Sequence, residues 1–411
     1  MGATDSAKER AGALDAETIN GEAVVVLSAG GRVEEAFEAY ARAKGIRYGT
    51  ENANGQFYFQ GSETISVDPT NAQWGKARVL AFERALLEAQ TAFVRYSYGS
   101  QLAEIEKRFF QDASDGADEF PVTGDAGRLS ALIDKALALT DAVLEKRLAE
   151  LGVDPEEFRS KPAPQRKKLV EDTIRTTTLT RAMGDMAGMF PVQTFEGSDG
   201  KGTHTIGVVA MYSPKLRQLA DDTRRGKTPL LASVPKKPLA EYVPNDPATL
   251  ADQFGMRVFF DQRGEPCLVS YGQWSHNYTG TNERTRERRR EAAKASALER
   301  ADSYITLFQA GRLRLDSEKE VGDAIEEAIL KDGDGNLSSD DITRIIDRTN
   351  ERVRASGKAD LIGRSQLPSR FFKHPSGHEI AIVAVAWTLT GAESTARVRD
   401  WKPEQQRRDR S

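Results

Sequence analysis

Alanine recurs at every fourth position, 77, 81, 85 and 89, within WGKARVLAFERALLEAQTAFVRYSYG (Trp74 to Gly99). On a helix of about 3.6 residues per turn these alanines form one narrow, slowly drifting stripe. Val79, Phe82, Leu86 and Phe93 flank it. Small residues in a row let a backbone approach closely and the large neighbours fill the sides, so the pattern predicts a helix laid flat on a sheet. The spacing returns at Ala293, Ala297 and Ala301 in EAAKASALERADSYITLFQAG. Sliding the second segment onto the first places Ala293 on Ala81, Ala297 on Ala85, Leu298 on Leu86, Ala301 on Ala89 and Gly311 on Gly99, read as the stop glycine of each helix. An apolar, aromatic run with a glycine precedes each helix: FYFQGSETISV with Gly61, and CLVSYGQW with Gly272. A β-branched run behind a histidine follows each: His204-Thr-Ile-Gly-Val-Val-Ala and His378-Glu-Ile-Ala-Ile-Val-Ala. An internal repeat of this length organises the whole chain.

The remaining pattern fills in around the repeat. Val33 to Lys44 reads as an amphipathic helix closed by Gly45, and Gln56 to Val67 as a strand. Asp68-Pro69 makes a turn, and Thr70 or Asn71 can cap the first striped helix. Gln101 to Gln111 can prolong that helix. Leu129 to Leu151 reads as one amphipathic helix ended by Gly152, and Asp154-Pro155 starts a short one. Lys161 to Lys168 reads as a polar hinge, and Leu169 to Phe195, with Thr176, Thr177 and Thr178, suits a strand. EGSDGKGTH is then a hairpin turn ahead of a strand over Thr205 to Tyr212. Five prolines between Thr228 and Pro247 mark an extended connector. The expected organisation is an N-terminal segment 1–50, a first module 51–227 with a helical insertion 100–170, a Pro-rich linker 228–250, a second module 251–396 with a shorter insertion 313–357, and a charged tail 397–411. The expected fold class is α+β: two tandem modules, each a small antiparallel sheet covered by an alanine-striped helix.

With 411 residues the chain can bury several cores. Hydrophobic residues make up 39%, charged residues 29%, and the formal net charge is −4, which gives no global attraction to nucleic acid or anionic membrane. The basic run Thr285 to Arg290 is interleaved with Glu283, Glu287 and Glu291, so no specific nucleic-acid partner is expected. No run of about eighteen apolar residues exists to span a bilayer. The N-terminus lacks the apolar core of a secretory signal: the expected location is the periplasm or cell envelope if a signal was removed, and the cytoplasm otherwise. The single cysteine, Cys267, excludes an intramolecular disulfide and reads as a buried small hydrophobe.

Candidate chemistry is sparse. Lys331 to Asp341, KDGDGNLSSDD, resembles a calcium loop, but aligning Gly335 with the loop glycine puts Leu330 where the first carboxylate is needed, and Asp341 is short for the bidentate position. The stretch reads instead as a turn with Ser338 as a helix N-cap. Of the histidines at 204, 276, 374 and 378, His374 and His378 are separated by a turn and have no reason to share a face. With no cysteine or acidic partner nearby, zinc is not expected. His204 and His378 correspond across the repeat, suggesting a structural role at the hairpin mouths. EGSDGKGTH and LSAGGR lack the context of a phosphate loop, and no GxSxG is present. No catalytic, cofactor-binding or metal-binding residue is assigned, and no enzyme is expected.

Trp74-Gly75-Lys76-Ala77-Arg78, Ile206-Gly207-Val208-Val209-Ala210, Val269-Ser270-Tyr271-Gly272-Gln273-Trp274 and His374-Pro375-Ser376-Gly377-His378 carry a resemblance. The strand, glycine, striped helix and closing hairpin resemble the module of small bacterial outer-membrane lipoproteins and of flagellar basal-disc and H-ring proteins. The wider arrangement resembles a family of long, uncharacterised bacterial envelope proteins, a domain of unknown function. The resemblance implies a non-enzymatic protein that builds rings or discs by lateral self-association, although this chain has no lipobox cysteine or signal sequence. The leading expectation is therefore a non-catalytic structural or assembly protein forming homo-oligomers (ring, disc or filament). The alternative is a soluble binding protein holding a small molecule, peptide or glycan in the groove between the modules, with Tyr242, Trp274 and Tyr278 as contact candidates. An exposed apolar strip along Leu129–Leu151 would favour assembly, and a pocket with convergent polar side chains would favour binding.

Overall fold

The computed structural model describes residues 25–26, 33–110, 125–139, 141–199, 202–251, 253–309, 338–356, 363–374 and 376–399. It divides into two compact units. The first comprises Met1–Ala92, Ala187–Gly311 and Asn350–Ser411, and the second Phe93–Met186 and Arg312–Thr349. The first unit contains both sheets, so the tandem α+β modules sit together in it, and parts of both helical insertions cluster as the second.

The first sheet has the order β1-β4-β5-β3-β2, with β1 Val25–Val26, β2 Glu51–Asn52, β3 Gln56–Thr64, β4 Phe190–Ser198 and β5 His204–Tyr212. All its pairings are antiparallel except β1 with β4. The second has the order β6-β7-β10-β8, with β6 Gly255–Phe260, β7 Pro266–Ser275, β8 Arg364–Gln366 and β10 Glu379–Thr388. The strand β9, Arg370–Lys373, pairs with β10 on the same side as β8.

Each striped helix lies on its sheet through the same contact. In the first module α2 (Trp74–Phe110) crosses β3 at Gly61, where an added Cβ would stand 2.2 Å from the Ala85 carbonyl oxygen and 2.7 Å from the Ala89 nitrogen. In the second, α9 (Glu283–Gln309) crosses β7 at Gly272, where the same atom would meet the Ala297 oxygen at 1.9 Å and the Ala301 nitrogen at 2.6 Å. The residues aligned by the sequence repeat thus occupy like positions. The register of the closing strands differs by one residue from the sequence alignment: Gly61 faces Val208 and Gly272 faces Val383. His204 therefore corresponds in space to Glu379 rather than to His378.

Both sheets are covered on the second face as well, which explains why β4, β5, β6 and β10 are buried along nearly their whole length. Neighbouring strand residues point to opposite faces. Gly207, beside Val208, accordingly meets Val33 and Phe37 of α1 (Val33–Lys44) on the face away from α2. In the second sheet the opposite face carries Phe259, Val269, Tyr271, Ile380, Ile382 and Ala384. Leu239, Tyr242 and Val243 of the Pro-rich connector and Leu250 pack on it. The connector is thus a layer of the core and not a free linker.

Four local expectations are corrected. The first striped helix does not stop at Gly99 but runs 37 residues to Phe110; Gly311 lies outside the described residues. Leu129 to Leu151 is two helices, α3 (Asp125–Leu137) and α4 (Asp141–Glu150), whose Leu129, Leu132, Ile133, Leu144 and Leu148 are buried. Within this second unit α3 packs on α6 (Ala163–Asp185), and α5 (Pro155–Ser160) joins α4 and α6. The threonine run is helical, part of α6, because Val170, Ile174, Leu179 and Met183 supply a buried face and the Thr178 hydroxyl donates to the Ile174 carbonyl at 2.6 Å. The hinge expected over Lys161 to Lys168 is likewise mostly the first turns of α6. Most of the suspected calcium loop lies outside the described residues. Ser338 caps α10 (Ser339–Ser356), accepting from the Asp341 amide at 3.2 Å while its own amide donates to that carboxylate at 3.0 Å. Among the described residues no helix is long and apolar enough to cross a membrane.

Candidate functional site

Asn71 caps α2 through Oδ1, which accepts from the Gln73 amide at 2.9 Å, and so sets Trp74 at the head of the helix. Trp74 is fully buried, and three of the four histidines converge on its ring. His374 lies 4.9 Å away between ring centres, His378 is stacked at 5.6 Å, and His204 stands edge-on at 5.5 Å. The expectation that His374 and His378 share no face is corrected. The β9–β10 turn is closed by the His374 amide donating to the His378 carbonyl at 2.8 Å, which presents both rings to the same indole. His276 lies elsewhere, 2.8 Å from Glu379.

Behind the indole lies a buried ion pair. Arg78 Nε donates to Glu196 Oε2 at 2.9 Å, and both side chains are almost fully enclosed. Arg78 Nη1 donates to Gln273 Oε1 at 3.1 Å, and Gln273 Nε2 donates to the Ala251 carbonyl at 2.8 Å. The guanidinium also stacks over Phe254 at 4.5 Å. One arginine on α2 thus joins β4 of the first sheet to β7 of the second. Burial works against the charge on Glu196, but Arg78 and His204 outweigh it and bring the carboxyl down to about 2. Burial first, and repulsion from Arg78 second, bring His374 down to about 4. The acid missing from the sequence pattern is thus present, since His204 Nδ1 is 3.4 Å from Glu196 Oε1. Its carboxylate is already held by Arg78, and among the described residues no three His, Cys, Asp or Glu side chains are grouped to hold a metal ion. The cluster is a closed polar seam between the two sheets.

An open site lies on the outer side of the striped helices. A cleft of about 420 Å³ is lined by Glu83 of α2, by Leu298, Arg300, Asp302 and Thr306 of α9, and by Arg354 of α10. Glu83 Oε1 accepts from the Tyr304 hydroxyl at 3.2 Å and lies 3.2 Å from Arg300 Nε. Arg300 covers the Trp274 ring at 3.7 Å. Asp302 pairs with Arg364, and burial still holds its carboxyl above the usual range. No sequence pattern points to this site, because its charged residues look like any solvated helix face and only the packing of α2, α9 and α10 brings them together. Of the expected contact residues, Trp274 lies beneath Arg300. Tyr242 stacks on Phe259 at 4.4 Å, and the Tyr278 hydroxyl accepts from the Asn282 amide at 3.0 Å. The three do not line one surface. Two arginines of the basic run are in ion pairs, Arg286 with Glu283 and Arg290 with Glu287 and Glu379.

A family described as a domain of unknown function (DUF6844) matches residues 129–225. That stretch includes Glu196 and His204 but neither Trp74, Arg78 nor the residues of the cleft. No curated protein matches. A solved structure of the hypothetical protein FTT1539c from Francisella tularensis is similar, with a TM-score of 0.55 and 19% identity, over 94% of this chain and 99% of that one. At that identity the likeness is one of fold. The chain is thus similar in sequence, across residues 129–225, to an uncharacterised family, and shares its α+β architecture with a protein that carries no assigned role.

Proposed function

We propose that this chain is a non-catalytic binding protein that holds a small molecule in the cleft between its two striped helices. The observation that carries this reading is the cleft itself: charged side chains from α2, α9 and α10 converge on an open volume at the junction of the two modules. The non-catalytic reading treats the seam as structural, since Arg78, Glu196 and Gln273 are buried and engage one another. The test is ligand-observed NMR of the purified chain against a panel of small polar and amphipathic compounds, with Leu298→Glu as the blocked control. Binders that Leu298→Glu rejects support the proposal. A panel with no such binder removes it.

A second reading is homo-oligomeric assembly, in the manner of the envelope lipoprotein and flagellar-disc modules that the repeat unit resembles. It is favoured by the duplicated glycine-on-alanine packing and by Leu230 and Val234, which stand 81% and 68% exposed on the connector. The burial of the Leu129–Leu151 face removes the surface first expected to mediate it. Light scattering and electron microscopy at high protein concentration decide: rings or filaments support assembly, and a strict monomer overturns it.

A further inference from the structure

The glutamates interleaved with the basic run of α9 do not neutralise it. Glu283 pairs with Arg286, Glu287 with Arg290 and Glu291 with Lys294, each three residues on. Every carboxylate of these turns therefore has its cation, and Arg284, Arg288 and Arg289 are left over. All three are exposed, and none has a carboxylate at ion-pair distance among the described residues. Arg284 and Arg288 are four residues apart, so they share a face and lie about 6 Å apart along the axis. Ala293, Ala297 and Ala301 are buried and hold the other side of the helix on its sheet. The neighbouring strand adds to the surplus. Arg290 stacks over Phe371 at 4.2 Å, which sets β9 beside the first turns of α9, and β9 brings Arg370 and Lys373 with no carboxylate. Glu379 is already held by His276 and Arg290. Counting every charge on α9 up to Lys294, on β9 and at Glu379, eight cations meet four carboxylates.

We propose that this face of α9 binds the phosphodiester backbone of nucleic acid without reading its sequence. Arginine forks offer paired N–H donors to phosphate oxygens, and a duplex repeats its charge at short, regular intervals that one helix face can meet several times. Such contacts carry affinity but no sequence information. No large hydrophobic side chain is exposed on α9 or β9 among the described residues, so nothing there enters a bilayer. The surface lies ahead of the cleft residues on α9 and stands independently of the small-molecule reading. With a net charge of −4 the chain as a whole gives no long-range attraction, so the contact is local and belongs to low salt.

The test is fluorescence anisotropy of a short labelled DNA duplex titrated with the full chain. With three phosphate contacts, log Kd is expected to rise with log salt at a slope of about 2.7, so affinity falls about forty-fold between about 50 and 200 mM salt. Each of the changes Arg284→Gln, Arg288→Gln and Arg289→Gln is expected to take about 0.9 off that slope, and the three together to leave almost no salt dependence. Lysine at the same three positions is expected to keep it. Lys227→Gln, Lys236→Gln and Lys237→Gln together remove the same charge from the connector and are expected to leave duplex binding as in the wild type. All these side chains are exposed, so thermal melts matching the wild type are expected. No duplex binding at about 50 mM salt, an unchanged slope in the triple arginine-to-glutamine variant, or an equal loss in the connector variant each overturns the proposal. Phosphatidylserine vesicles that bind more tightly than the duplex through the same arginines overturn it in favour of a lipid surface.

Discussion

Replacing Gly272 by alanine tests the packing on which the duplicated architecture rests. The added methyl carbon would lie 1.9 Å from the Ala297 carbonyl oxygen and 2.6 Å from the Ala301 nitrogen, about 1.5 Å short of ordinary contact with the first. Both atoms are helix backbone, so no rotamer change relieves the clash and α9 must lift from β7. Overpacking of this kind typically costs about 1–3 kcal/mol and occasionally more. The gain from removing a strand glycine, about 0.5–1 kcal/mol, offsets a fraction of it. The expected net loss is about 0.5–2 kcal/mol, measured by urea denaturation followed by circular dichroism. Gly61→Ala meets the Ala85 oxygen at 2.2 Å and should lose a similar amount. Because the obstacle is a peptide group and not a methyl, trimming Ala297 to glycine in the Gly272→Ala background should restore nothing. A loss below about 0.5 kcal/mol in either single variant, or rescue by Ala297→Gly, would refute the reasoning.

Three further outcomes follow from the seam and the core. Arg78→Met leaves Glu196 buried without its counter-charge and should cost about 3–5 kcal/mol, while adding Glu196→Gln should recover most of that in the same urea melts. Stability should fall on acidification in two stages. His374 is held down to about 4, so the unfolded chain binds more protons between its ordinary value of 6.5 and 4, and up to about 3 kcal/mol is lost across that interval. Glu196, held down to about 2, adds a similar loss between 4.5 and 2; unfolding free energies across that range that do not fall would contradict both. Burial pushes the Cys267 thiol up to about 12, so a disulfide reagent should label it at the rate of unfolding and not of free-thiol reaction, and prompt labelling of the native chain would count against that burial.

The stripes at Ala85 and Ala297 and their partners Gly61 and Gly272 were legible because close helix–sheet packing admits few residue types and leaves a periodic trace. The strands β3, β5, β7 and β10 were legible from their apolar, β-branched runs. What failed depended on tertiary context. Gly99 looked like a stop, yet α2 continues through it to Phe110. Thr176 to Thr178 favour strands in isolation, yet the buried face of α6 decides for helix. The meeting of His204, His374 and His378 on Trp74 could not be read from spacing, because two separate hairpins bring them there.

The Pro-rich stretch over the second sheet bears on how this duplicated chain can be divided. A fragment beginning at Ala251, the cut that composition alone recommends, would leave Leu239, Tyr242 and Val243 behind and expose Phe259, Val269 and Tyr271 to water. It would also strip Gln273 of the Arg78 guanidinium. Such a half should aggregate when expressed alone. Whatever ancestor gave rise to the two copies, each now borrows material from outside its own repeat, and neither can be inherited or engineered as a freestanding piece.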